Sequence, residues 1–375
     1  MSFQANLGLF AMLLRGDHNA AADRLKQSYP QPIDFIRFIE RHWLQQLIAT
    51  LLEGSPVRKL LPRQWLEDLK VSTLRQWVTQ EGLFQELVAL SPGLSQGGIE
   101  FILLKGPYHA DRYFGGLDCR AFSDLDLLVK KESLAEATKV LRGNGYVQMS
   151  STLLGWRLTS YFTHSFDYLK PEAAVDLHWR FSAQPALRLD YDAIWREKRI
   201  YVLRDHPFYV LSDEYELVFN LLSIFKDIEM GMARLRGFVD LYFILKEVRH
   251  QLDWSLFLQN RGRDGTRGAV LTVLALLLGL FDCAETFTEA RAMLDLEPGS
   301  VKVVPAENYQ PLLEGVAGAT WNKIWASGVY ESSRLSVLSW WLVGLPFRIA
   351  VHHPDKFARV KRVLEPLKLS SSSTA

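Results

Sequence analysis

The chain has 375 residues, 48% hydrophobic and 23% charged, a globular composition with the length for about two domains and a sizeable core. Lys and Arg number 43 against 42 Asp and Glu, so no global field favours nucleic acid or an anionic membrane, and any basic site is local. Cys119 and Cys283 stand far apart with no CxxC or Cys/His spacing, which gives no disulfide framework and no zinc site and points to a reducing cytoplasm.

From residue 4 to 91 the sequence reads as helices. "LGLFAMLL" (7–14) has no Lys or Arg before it, so it is an amphipathic helix rather than a signal segment. "DFIRFIERHWLQQLIATLLEG" and "WLEDLKVSTLRQWVTQEGLFQELVAL" carry apolar residues at three- and four-residue spacing, the helical period. "SPGLSQGG" (91–98) is expected to stop the helices. Short strand-like runs follow: "IEFILLKG", "SDLDLLVK", "YFTHSFDYL" and "AAVDLHWRF", with the helical "ESLAEATKVLRGNG" between the second and third. After residue 205 helices return. "GAVLTVLALLLGLF" (268–281) has the length of a buried core helix rather than a bilayer span.

The fold class is therefore α+β, a small mixed sheet flanked by helices. The expected parts are an N-terminal helical region (1–94), an α/β core (95–205), a C-terminal helical region (206–368) and a disordered polar tail (369–375). The greasy "LSVLSWWLVGLPFRIAV" (335–351), followed by Lys356, Arg359, Lys361 and Arg362, suits a membrane surface. Its plainer reading is a packed helix broken near Pro346.

The chemistry starts at "FSDLDLLVKK" (122–131). In a strand, Asp124 and Asp126 share one face, roughly 6 to 7 Å apart along the chain, while Leu125, Leu127 and Val129 take the other. Two carboxylates on one face repel, and a divalent cation between them removes that cost; oxygen ligands favour Mg²⁺ or Mn²⁺. Without metal, replacing either aspartate by Asn should relieve the repulsion. In "AAVDLHW" the alternation recurs, with Asp176 and His178 on the polar face. Were the two strands neighbours, Asp176 would complete a three-carboxylate cluster, with Asp167 as the fallback third acid and His178 behind the ligands.

Upstream, Lys105-Gly106 ends a strand and Pro107 opens a short helix. A glycine there lets backbone approach a phosphate, and Lys105 and Arg120 add positive charge. The order strand, Lys-Gly, short helix, Arg, "SDLDLLV", helix and "VDLHW" resembles the uncharacterised nucleotidyltransferase family of the DNA polymerase beta-like superfamily. The resemblance covers residues 95 to 185. It implies a minimal nucleotidyltransferase fold in which Gly106 is the turn glycine at the NTP phosphates, and Asp124, Asp126 and Asp176 hold two Mg²⁺ ions. Proline at 107 stands where the wider superfamily usually has serine. That removes an N–H donor, for which Lys105, Arg120 or Ser123 can compensate.

The resemblance further implies a helix beside the nucleotide, here "MARLRGFVDLYFILKE", with Arg234 or Arg236 at the triphosphate or acceptor. The plainer reading pairs Arg236 with Asp240 at i, i+4. The expected activity is transfer of an NMP from an NTP to a hydroxyl of an unidentified acceptor, releasing pyrophosphate. Its rivals are a non-catalytic nucleotide- or partner-binding module and a membrane-surface protein of cell-surface polymer assembly acting through 335–362. No aromatic-and-basic patch favours nucleic acid, and no transmembrane segment is expected.

Overall fold

The computed structural model describes residues 2–28, 32–149, 163–184, 187–231, 233–296 and 309–314. The N-terminal helices are α1 (Phe3–Arg15), α2 (His18–Ser28), α3 (Ile33–Arg41), α4 (Gln45–Leu51) and the long α5 (Arg63–Gln96). Helix α1 is apolar along the stripe Phe3, Leu7, Phe10 and Leu14, all buried, as the amphipathic reading requires. Helix α5 ends inside "SPGLSQGG" as expected, at Gln96 with Gly97 as its C-cap, although it first continues through Pro92. Proline removes one backbone hydrogen bond; buried Leu90 and Leu94 hold the last turns against the core, and Ser91 Oγ donates to the Leu87 carbonyl at 2.8 Å.

The α/β part comprises β1 (Phe101–Leu103), α6 (Pro107–Phe114), β2 (Leu125–Val129), α7 (Leu134–Gly143), β3 (Val147–Gln148), β4 (Ser165–Lys170), β5 (Ala173–His178), α8 (Tyr191–Arg196), β6 (Arg199–Leu203) and β7 (His206–Val210). One sheet of seven strands runs β3-β4-β5-β2-β1-β7-β6. It is mixed: β2 is antiparallel to β1 and parallel to β5, and β7 is parallel to β1. The sheet extends past residue 205, because β6 and β7 form a hairpin whose turn residues, Arg204 and Asp205, both have positive φ. In β2 the apolar Leu125, Leu127, Leu128 and Val129 are buried while Asp126 is half-buried.

Helices α9 (Asp213–Glu229), α10 (Leu235–Val248), α11 (Trp254–Asp264), α12 (Arg267–Phe281), α13 (Thr288–Leu296) and α14 (Tyr309–Glu314) follow. Helix α12 is buried nearly all round, and no helix among the described residues is long and apolar enough to cross a membrane. The helices before and after the sheet share one core. Arg15 Nη1 donates to the Phe281 carbonyl at 2.6 Å, and the Phe10 and Phe281 rings lie 6.1 Å apart. The 335–362 segment and the polar tail lie outside the described residues.

Candidate active site

Register brings the acids together. Strands β2 and β5 are neighbours, with Asp126 opposite Asp176 and Leu127 opposite Leu177, so both carboxylates leave the same face of the sheet. Asp124 precedes β2 by one residue and joins them in a cleft of about 210 Å³. Asp167 is opposite Asp176 on the far strand, β4, and is not among the residues that line the cleft. The apolar halves of both strands pack into the core, which leaves the alternating polar positions to face the opening.

His178 sits between the carboxylates. Its Nε2 lies 3.1 Å from Asp126 Oδ1 and 3.2 Å from Asp176 Oδ2, so an imidazolium at this point offsets their repulsion. Burial opposes the charge on His178, but Asp176 and the hydrogen-bonded Asp126 raise its pKa to about 9. Burial also works against ionised Asp126, yet the hydrogen bond and charge of His178, with Lys105 behind them, hold its carboxyl down at about 2. Among the described residues Asp124 has no hydrogen-bonded counter-ion. Burial first, and then the charges of Asp126 and Asp176, push it up to about 6, and the charges of Arg236 and Lys105 lower it only in part.

At the other wall, Gly106 caps α6 with φ 61° and ψ −125°, a conformation that a side chain disfavours. A Cβ there would stand 3.3 Å from the Asp124 carbonyl oxygen, so this turn and the start of the aspartate strand pack backbone to backbone. Pro107 takes the first helical position of α6, where its missing N–H leaves no helix bond unmade. Lys105 Nζ donates to Ser223 Oγ at 2.8 Å and lies 4.9 Å over the Phe219 ring; burial lowers its pKa.

Arg120 lines the cleft but is already engaged: Nε and Nη2 donate to the two oxygens of Asp240 at 2.7 and 2.8 Å. The expected Arg236–Asp240 pair therefore gives way to a bidentate pair between Arg120, just ahead of β2, and α10. Both groups are buried, and the two parallel N–H···O bonds match the fork of the guanidinium to that of the carboxylate. Arg234 and Arg236 line the cleft, Arg234 exposed and Arg236 half-buried. Ser123 is exposed and is not among the lining residues.

Helix α9 contributes residues that the sequence reading missed: Asn220, Ser223, Lys226 and Asp227 line the cleft beside Phe219. The signal was present. Within the apolar "LVFNLLSIFKDIE" these polar residues recur at helical spacing, a second polar stripe on a buried helix.

The donor set fits a hard divalent cation. Asp126, Asp176 and His178 offer ligand atoms within 4.8 Å of one another, and Asp176 Oδ1 is buried with no hydrogen-bond partner among the described residues. The carboxylate oxygens suit Mg²⁺ or Mn²⁺; His178, protonated between them, is their counter-ion and offers no ligand nitrogen in that state.

Paired carboxylates in register on parallel neighbours, a glycine turn and a cationic rim meet in one cleft of an α+β scaffold. The chain belongs to the uncharacterised nucleotidyltransferase family, whose model matches residues 30–282. No curated protein matches it. Among solved structures, the solution structure of antibiotic-resistance factor ANT(2'')-Ia aligns at 11% identity and a TM-score of 0.34, over 47% of this chain and 90% of that one, too slight a likeness to transfer anything from that protein.

Proposed function

We propose that the chain is a metal-dependent nucleotidyltransferase that moves an NMP from an NTP to a hydroxyl of an acceptor, with release of pyrophosphate. The observation that carries this reading is the register of Asp126 with Asp176, beside Asp124, in a cleft rimmed by Lys105, Lys226, Arg234 and Arg236.

Asp124, Asp126 and Asp176 would hold Mg²⁺ or Mn²⁺, which when bound neutralises charge on the transferring phosphate. The chain's residues do the rest. Lys105, Lys226 and Arg236 bind and orient the triphosphate, and Gly106 keeps the turn beside them free of a side chain. The acceptor oxygen attacks the α-phosphorus, the bond from that phosphorus to the bridging oxygen breaks, and pyrophosphate leaves. The hydroxyl proton passes to the carboxylate of Asp176, which lines the cleft. Arg120 acts indirectly, by fixing α10 against the aspartate strand.

Incubating the protein with each labelled NTP and Mg²⁺ in a lysate of its source cell, followed by mass analysis, tests the reading. The expected result is one species gaining an NMP mass in wild type and none with Asp126→Asn. Undiminished transfer by that variant would refute it.

One observation favours a second reading, a non-catalytic nucleotide-binding module: His178 Nε2 itself lies between the carboxylates that metal needs. Nucleotide binding that is indifferent to Mg²⁺ and Mn²⁺ would select that reading.

A further inference from the structure

Asn220 is the residue of the cleft whose orientation is set from behind. Its Nδ2 donates to the Glu216 carbonyl at 2.9 Å and to Glu216 Oε1 at 2.8 Å. The carbonyl can only accept, so the amide nitrogen must face it and the flipped carboxamide is excluded. Glu216 is in turn fixed, because Oε1 also accepts from His109 Nε2 at 2.6 Å, and both side chains are fully buried. The Asn220 oxygen has no donor among the described residues and is not sealed off from the cleft that the residue lines. A fixed hydrogen-bond acceptor therefore faces the ligand space, one helical turn from Ser223, which touches Lys105.

We propose that Asn220 is a specificity-determining residue that reads a hydrogen-bond donor on the nucleoside part of the bound nucleotide, with Glu216 and His109 as its positioning residues. This rests on the nucleotidyltransferase reading. A nucleotide whose phosphates meet Lys105 brings its sugar and base within reach of the next turn of α9. Two sources carry the required donor, a ribose hydroxyl and an amino group of the base. A ligand lacking it leaves the Asn220 oxygen desolvated and unpaired, which costs more than the bond itself yields.

The test is equilibrium binding of ATP, 2′-deoxyATP, 3′-deoxyATP and ITP, each with Mg²⁺, to the full chain. Wild type is expected to lose about tenfold or more in affinity for one analogue: a deoxy analogue if a hydroxyl is read, ITP if the amine is. Asn220→Ala should weaken ATP and bind that analogue and ATP alike. Should Asn220→Ala fail to fold, Asn220→Ser carries the test: its hydroxyl turns back to the Glu216 carbonyl and leaves no carboxamide oxygen in the cleft, so the discrimination should collapse to within about threefold while phosphate-dependent binding persists. A merely structural role for Asn220 would lower stability and leave the ratio intact. Equal affinity of wild type for all four nucleotides, or an unchanged ratio in the variants, overturns the role of Asn220. Failure of all four, and of GTP, CTP and UTP, to bind overturns the transferase reading beneath it.

Discussion

The two aspartates of the 124–126 pair should respond oppositely to the same substitution in the metal-free protein. From sequence alone, either Asp→Asn change relieves like-charge repulsion. The structure separates them, because His178 bonds Asp126 while Asp124 is left to burial and repulsion. A folded pKa of about 6 for Asp124 against 3.8 means that its ionised form opposes folding, by about 3 kcal/mol at neutral pH, at roughly 1.4 kcal/mol per unit. A folded pKa of about 2 for Asp126 against 3.8 means the reverse, a contribution of about 2 kcal/mol. The pH windows follow. The Asp124 penalty is absent below 3.8 and complete above about 6; the Asp126 contribution is present above 3.8 and lost as pH falls through about 2. Urea unfolding in EDTA at pH 7.5 should find Asp124→Asn more stable than wild type and Asp126→Asn less stable. At pH 4.5 the Asp124→Asn gain should shrink to roughly 1 kcal/mol. Shifts of the same sign for both variants at pH 7.5 would refute the assignment of His178 as the counter-ion of Asp126.

His178 titrates in the folded state at about 9 rather than 6.5, so its contribution to metal-free stability is complete below pH 6.5 and lost as pH rises through 9; the denaturation midpoint should fall from pH 6 to 10 in wild type and stay flatter in His178→Asn. Removing either partner of the buried Arg120–Asp240 pair, as in Arg120→Met, should cost about 3–5 kcal/mol in chemical denaturation, whereas Arg120→Met with Asp240→Leu should recover part of it. Lys105→Ala should weaken NTP binding about tenfold or more with metal affinity unchanged in calorimetry, since the lysine meets phosphate rather than cation.

The acids were legible because their spacing needs only the two-residue period of a strand, and "DLDLLV" and "VDLHW" both declare it. What joins them, the parallel pairing of β2 with β5, is a long-range contact that no local period encodes. The alternation puts His178 on the polar face with the acids, but its hydrogen bond to Asp126 and its 3.2 Å approach to Asp176 depend on that same long-range register. The β6–β7 hairpin escaped notice because Arg204 and Asp205 supply its positive-φ turn where Asn-Gly or Asp-Gly would have announced one. Pro92 is not itself the helix end: a breaker in isolation, it is overridden by the burial of Leu90 and Leu94 on either side of it. Arg120 lacked any local clue to its partner, since Asp240 is 120 positions away.

The bond from Arg15 to the Phe281 carbonyl spans 266 positions, which bears on how the protein is made. At about 5–20 residues per second, on the order of 10–50 s separate the emergence of α1 from that of α12. Through that interval Phe10 and its apolar neighbours have no C-terminal helix to cover them, and the nascent chain presents a greasy segment to whatever else is in solution. Yield during expression should therefore depend on slow translation and on holding chaperones more than on the stability of the finished fold.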